Sequence, residues 1–95
     1  MPVETRPYDS ARYLDSDEAV AAYMEAAFET GDAAFIAHAF GIAARARGMT
    51  QIAKDAGLSR ESLYRALGEN GNPEFSTVLK VAKALGLRLA VVAAE

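Results

Sequence analysis

The sequence contains no cysteine and a single histidine, His38. Without cysteine, neither a disulfide framework nor a thiolate metal site can form. No group of histidine and carboxylate residues has the spacing of metal ligands, so we expect no metal and no cofactor. The chain also lacks an activated nucleophile and a phosphate-binding loop that ends in lysine and serine or threonine. These absences predict that the protein is not an enzyme.

Long apolar runs are also missing. No run approaches the about 20 apolar residues that a membrane-spanning helix needs. The first ten residues, MPVETRPYDS, lack the basic and apolar regions of a secretory signal. We therefore expect a cytoplasmic protein that does not contact a membrane. The length of 95 residues allows one small domain. Alanine supplies much of the apolar content and favours closely packed helices.

Charge is distributed unevenly along the chain, although the net charge is only −3. Residues 1–40 carry eight acidic and two basic side chains, whereas residues 41–95 carry five acidic and eight basic ones. An acidic first part and a basic second part indicate two surfaces with different partners. The basic part suits nucleic acid, and the acidic part suits a basic protein.

The first segment, residues 1–14, has two prolines and no helical period, and we interpret it as an extended N-terminal arm. Its large apolar side chains are Tyr8, Tyr13 and Leu14. Such residues either pack on the domain or contact a partner, and both alternatives stay open. Residues 15–95 form the predicted domain.

Apolar periodicity and capping residues predict the helices that flank the centre of the chain. Asp15 is expected to cap the first helix. Asp32 is expected to cap a second helix that runs to about Arg47 and stops at Gly48. Ser76 is expected to cap the start of the last helix, and Gly86 is expected to end that helix.

Residues 49–68, MTQIAKDAGLSRESLYRALG, predict two short helices joined by a tight turn. Thr50 is a candidate cap of the first helix and Ser59 of the second. Gly57 suits the left-handed residue that ends the first helix, and Leu63 suits the contact between the two helices. This spacing is typical of a helix-turn-helix, whose second helix enters the DNA major groove.

The outward residues of the second helix have the chemistry of base contacts. Arg60 and Arg65 can donate to guanine, Glu61 can accept from cytosine, and Tyr64 can touch a thymine methyl group or a phosphate. The alternative is an ordinary solvated polar face. Two-fold dimers that read half-sites about 34 Å apart are usual, so we expect a homodimer on double-stranded operator DNA. The predicted DNA-binding residues, including those suited to phosphates, are Thr50, Gln51, Lys54, Ser59, Arg60, Glu61, Ser62, Tyr64 and Arg65.

The C-terminal segment changes its pattern. Between residues 87 and 93, leucine and valine alternate with other residues at a period of two, which predicts a short β-strand. A lone strand leaves its backbone groups unpaired. A strand here would therefore need to pair with the N-terminal arm, with its copy in a dimer, or with another protein. The alternative is that the segment extends the helical core without pairing.

Several motifs taken together resemble a known family. They are GDAAFIA at 31–37, ARARGMTQIAKDAGLSRESLYRAL at 44–67 and GNPEFSTVLKVAKALGL at 71–87. The chain resembles the probable addiction-module antidote proteins, a branch of the HigA-like, Xre-type helix-turn-helix antitoxins with a lambda-repressor-like domain. The family usually has an acidic residue just after the position of Gly41, and this chain has none there.

The resemblance implies an all-α fold with five helices, an N-terminal arm and a short C-terminal strand. It implies an antitoxin of a type II toxin–antitoxin module that binds a basic RelE/ParE/HigB-like toxin and represses its own operon. Tyr8, Tyr13 and Leu14 are our candidate toxin contacts, together with the acidic first helix. The alternatives are a free-standing Xre-type transcriptional repressor and a protein-interaction module that does not read DNA. The recognition residues carried over from the family are Ser59, Arg60, Glu61, Ser62, Tyr64 and Arg65.

Overall fold

The computed structural model describes residues 14–94 and contains five α-helices in that range. The all-α class predicted from the sequence is therefore confirmed. None of these helices is long and apolar enough to cross a membrane. The helices are α1 (Asp17–Glu29), α2 (Ala33–Arg47), α3 (Met49–Ala56), α4 (Arg60–Ala66) and α5 (Phe75–Ala84).

Helices α1 and α2 each begin with a side-chain cap. The carboxylate of Asp32 accepts a hydrogen bond from the backbone N–H of Phe35 at 3.2 Å, so the predicted cap of α2 is confirmed. The predicted cap of α1 is wrong by one residue. Ser16, which is extended, accepts from the N–H of Ala19 at 3.1 Å, and Asp15 precedes it. Three residues separate donor and acceptor in both caps, as capping geometry requires.

The predicted caps Thr50 and Ser76 are also wrong. The chain reverses between α2 and α3 at the single residue Gly48, with φ of 107°, so α3 begins at Met49 and Thr50 already lies in its first turn. Similarly, α5 begins at Phe75, and Ser76 lies inside it. Neither helix has a side-chain cap. Because one positive-φ glycine forms the whole connection between α2 and α3, position 50 already lies in the helix and cannot be an extended cap residue.

The predicted C-terminal strand is also wrong, because residues 87–94 contain no strand. The backbone N–H of Leu87 donates to Ala82 at 2.8 Å, and Leu87 and Leu89 pack against the helical core. Val91 is 98% exposed. The alternation therefore reflects two leucines that pack on helices, whereas a ladder would need a second strand, and residues 14–94 provide none.

The hydrophobic core joins all five helices around Phe40, Leu63, Leu67, Val20 and Val81, whose side chains are fully buried. Among the described residues, eight of the eighteen buried hydrophobic residues are alanines, so the helices approach one another closely. No polar or charged residue of that part of the chain is buried. Charge is therefore confined to the surface, where it determines what the domain can bind.

Candidate nucleic-acid interface

Helices α3 and α4 are joined by a turn of three residues, 57–59. Gly57 has the left-handed conformation (φ 72°, ψ 31°), and its N–H donates to Lys54 at 3.1 Å. The N–H of Leu58 donates to Ala53 at 2.8 Å, which satisfies another carbonyl at the end of α3. Ser59 is extended and caps α4. The predicted roles of Gly57 as the turn residue and of Ser59 as the cap are confirmed.

Helix α4 has one buried side chain, Leu63, which is fully enclosed by the core. Ala66 also packs against the core and is half-buried, whereas Arg60, Glu61, Tyr64 and Arg65 are exposed. Ser62 is half-buried. The predicted DNA-binding residues that are exposed are Thr50, Gln51, Lys54, Ser59, Arg60, Glu61, Tyr64 and Arg65. The structure therefore leaves nearly the whole predicted set accessible to a large partner.

The two serines at the start of α4 are bonded to each other. The hydroxyl of Ser59 accepts from the N–H of Ser62 at 2.9 Å and donates to the hydroxyl of Ser62 at 2.9 Å. This arrangement fixes the first turn of α4. It also leaves an acceptor lone pair on Ser59 and the hydroxyl proton of Ser62 for a partner at the surface.

On α3, the amide of Gln51 donates to the carboxylate of Asp55 at 2.8 Å, one helical turn away. Lys54 is exposed next to this pair. No hydrogen bond or ion pair among residues 14–94 links these α3 side chains to the predicted residues of α4. The carboxylate of Asp55 is a feature that sequence reasoning had not considered, and it opposes phosphate contact by repelling negative charge.

A residue that sequence reasoning missed, Arg45 of α2, lies beside α4. Its guanidinium carbon is 5.5 Å from the centre of the Tyr64 ring, and that of Arg60 is also at 5.5 Å. The guanidinium of Arg60 donates to the Tyr64 hydroxyl at 3.1 Å. Arg45 lies in the last turn of α2, where a positive charge is favourable whether or not it contacts another helix. No local pattern indicates that α2 and α4 meet there.

A groove of about 540 Å³ lies between α4 and the loop that follows it. Ser62 and Arg65 line it from α4, and Asn70 and Asn72 line it from the loop. Amide and hydroxyl groups can donate to phosphate oxygens, and arginine can bind them with two parallel hydrogen bonds. The groove therefore extends the polar surface of α4 toward α5.

The comparisons with known proteins identify the family. A family model described as "Probable addiction module antidote protein" matches residues 4–93. The chain belongs to this family. It is also 45% identical over 91 residues to a protein of Haemophilus influenzae described as "Uncharacterized protein". The aligned residues cover 96% of this chain and 94% of that protein. No solved structure matches the chain. The family resemblance inferred from the motifs is confirmed.

A second candidate surface is the acidic helix α1, which is relevant because an antidote has a toxin partner. Helix α1 contains four acidic residues and no basic residue, and all four are exposed: Asp17, Glu18, Glu25 and Glu29. Asp17 is engaged by Arg47 of α2, with Nη2 and Oδ1 3.2 Å apart. Glu25 and Glu29, near the end of the helix, have no such partner among residues 14–94.

Beside the end of α1 lies an apolar groove of about 800 Å³, which we call the α1–α5 groove. Phe28 of α1 is 40% exposed and Phe75 of α5 is 72% exposed there. Large apolar side chains exposed together in one groove make it a candidate interaction site. The groove is lined by Ala21, Met24, Glu25, Phe28, Glu29, Phe75, Leu79 and residues 87–92.

The candidate toxin contacts of the arm are placed only in part. Leu14 is 4% exposed and belongs to the hydrophobic core, so its side chain reaches a partner only if this packing is undone. Tyr8 and Tyr13 lie outside the described residues. Among residues 14–94, the acidic side chains of α1 and the adjoining groove are accessible to a partner.

Proposed function

We propose that this antidote-family chain is the antitoxin of a type II toxin–antitoxin module. It binds and neutralises a RelE/ParE/HigB-like toxin, and it represses its own operon through a helix-turn-helix formed by α3 and α4. The proposed DNA binding is supported mainly by α4, which buries Leu63 in the core and exposes polar side chains on its other face. Family membership carries the antitoxin part.

In the proposed complex, α4 enters the major groove of operator DNA. Arg60 and Arg65 donate to the O6 and N7 atoms of guanine, and Glu61 accepts from the amino group of cytosine. Tyr64, which is 39% exposed, contacts a thymine methyl group or the backbone. Exposure supports these contacts, because side chains on this face lie outside the hydrophobic core and can contact a base without opening it.

Phosphate contacts in this proposal come from the start and outer face of α3 and from the start of α4. They involve Thr50, Gln51, Lys54 and Ser59, all of which are exposed. The basic excess of residues 41–95 supports this side of the molecule as the one that faces DNA, although the net charge of the chain is −3. Such contacts hold the protein in register and make binding sensitive to salt.

A mobility shift on the DNA upstream of the chain's own gene tests repression. We expect Arg60→Ala and Arg65→Ala each to weaken binding by about 1–3 kcal/mol if each reads a base. Lys80→Ala and Lys83→Ala remove the same charge from exposed positions of α5 and serve as matched controls. Equal losses for both pairs would mean that α4 does not read the operator.

We further propose that the DNA-bound form is a homodimer. One chain offers only three or four base-reading side chains, which is too few for a selective site, whereas a two-fold dimer reads two half-sites. A footprint of two protected half-sites related by a two-fold axis is the expected result. A single protected half-site at saturating protein would contradict the dimer.

The toxin is proposed to dock on α1 and in the α1–α5 groove. Toxins that act on RNA or ribosomes tend to be basic, and we expect the toxin of this module to be basic. A basic toxin complements Glu25 and Glu29 in charge, and its apolar side chains fill the groove beside them. The occupant we propose is therefore an apolar segment of the toxin flanked by lysine or arginine.

Co-expression with the adjacent gene tests this part, scored by rescue of growth and by co-purification. Glu25→Lys with Glu29→Lys should abolish co-purification and leave the DNA mobility shift intact. The matched control is Arg60→Glu with Arg65→Glu, a double charge reversal on α4, which should abolish the mobility shift and leave co-purification intact. If no adjacent gene encodes a basic protein that co-purifies, the alternative of a free-standing Xre-type repressor replaces the antitoxin assignment.

A further inference from the structure

A cluster of two cations and one aromatic ring lies where α2 meets α4. It consists of Arg45, Tyr64 and Arg60, with both guanidinium carbons 5.5 Å from the ring centre. Arg45 lies outside the segment predicted as a helix-turn-helix. Because the negative face of an aromatic ring attracts cations, the ring determines where the two guanidinium groups lie.

A close approach of the two helices brings these side chains together. Gly41 of α2 lies against the carbonyl oxygen of Leu67, and a Cβ at position 41 would be 2.9 Å from that oxygen. Arg45 follows Gly41 by one helical turn, and Tyr64 precedes Leu67 by one turn, so the two side chains meet beside this contact. The position of Arg45 is therefore set by backbone packing as well as by the ring.

The two guanidinium groups have no carboxylate partner. Within residues 14–94, neither Arg45 nor Arg60 forms an ion pair. Two positive charges that converge on one ring repel each other, and a bound anion would convert this repulsion into attraction. Arg47, two residues further along α2, differs because it pairs with Asp17 at 3.2 Å. Of the two arginines at the end of α2, only Arg45 is available to an external anion.

We propose that Arg45 binds a backbone phosphate of duplex DNA, and that Tyr64 is a positioning residue that holds Arg45 and Arg60 for contact with the duplex. The inference rests on the proposed DNA-binding function and extends the interface beyond α3 and α4 to the end of α2. A phosphate is the anion that fits, because it accepts two parallel hydrogen bonds from a guanidinium and lies on the duplex surface next to an inserted helix.

The test measures the affinity of the full chain for a mixed-sequence DNA duplex by fluorescence anisotropy across a range of salt concentrations. If Arg45 neutralises one phosphate, Arg45→Gln should lower the slope of log affinity against log salt by about 0.9. The ratio of wild-type to variant affinity should accordingly shrink about 3.5-fold between about 50 and about 200 mM salt. Arg47→Gln makes the same charge change on the same helix and should keep the wild-type slope.

Each outcome decides a separate point. If the wild-type chain binds no duplex, the proposed function fails and this inference fails with it. If the wild type binds but Arg45→Gln keeps its slope, only the phosphate contact is overturned. Equal slope losses for Arg45→Gln and Arg47→Gln would show a general effect of charge and would also overturn it.

The role of Tyr64 is tested with two variants. Tyr64→Phe keeps the ring and loses the hydroxyl that accepts from Arg60, whereas Tyr64→Leu loses both. The side-chain protons of Arg45 should show a ring-current shift by nuclear magnetic resonance in the wild type and in Tyr64→Phe, but not in Tyr64→Leu. Arg45→Gln should also have a smaller effect on DNA affinity in the Tyr64→Leu background than in the wild type. An undiminished effect would overturn the positioning role.

Discussion

Replacing Leu63 by alanine tests how α4 is held on the domain. Leu63 is fully buried and is the one buried side chain within α4. The change removes three carbon atoms, which at about 0.8 kcal/mol each amounts to about 2.4 kcal/mol of lost burial. The cavity left behind adds to this, so we expect a loss of about 3–4 kcal/mol in the free energy of unfolding.

Urea denaturation followed by circular dichroism measures this loss as a lower midpoint at unchanged slope. A domain of this size unfolds with about 5–14 kcal/mol, so the variant should remain folded and melt roughly 12–30 °C lower. Leu79→Ala deletes the same atoms at a position that is 43% exposed, and it should lose only about 1–1.5 kcal/mol because less surface is buried and no enclosed cavity forms. Equal losses for Leu63→Ala and Leu79→Ala would refute the argument.

Three further predictions concern the caps, the turn and the α3 surface. Ser59→Ala should destabilise the domain by about 1 kcal/mol through loss of its cap, whereas Ser76→Ala, which removes no cap, should change the urea midpoint little. Gly57→Ala should lower the free energy of unfolding by about 1 kcal/mol in the same assay, because alanine is strained at φ of 72°; a stabilised variant would contradict this. Asp55→Asn keeps the bond from Gln51 but removes a charge that repels phosphate, so DNA affinity should rise about fivefold at low salt; unchanged affinity would place α3 away from the backbone.

Local capping signals were readable from the sequence where one residue decides the outcome. Asp32 and Ser59 each have an acceptor that reaches an N–H three residues ahead, and Gly57 needs only its own left-handed backbone. The prediction of Asp15 as the cap was wrong because the neighbouring Ser16 also has a side-chain oxygen that can accept from the helix and lies closer to its first turn. Neighbouring residues with equal capping ability cannot be ranked without the tertiary path of the chain.

The C-terminal segment shows a second kind of error. Alternating leucines at positions 87 and 89 predict a strand because period two is the usual sign of one. The same alternation results when an irregular segment places every second side chain on a helical surface, as Leu87 and Leu89 do. Only the hydrogen-bonding partner distinguishes the two cases, and that partner is a property of the fold.

Most of the proposed DNA surface followed from the spacing of residues within one segment, 49–68. Arg45 could not be found in this way, because its contact with Tyr64 depends on how α2 crosses α4. Gly41 is the sequence feature that reflects the close approach of the two helices. A glycine inside a helix can have other causes, so it does not by itself predict this contact. Contacts between separate segments therefore need coordinates.

The abundance of alanine in the core has a consequence for how the gene can vary. Ala43 and Ala44 are fully enclosed, and Ala39 and Ala53 nearly so, where the helices are in close contact. Truncation of such a residue removes a single methyl group, but enlargement has to push two helices apart. In a library of all single substitutions, larger side chains at these positions should be lost while serine or glycine survives. The volume of the side chain, rather than its hydrophobicity, would then decide which substitutions these core positions accept.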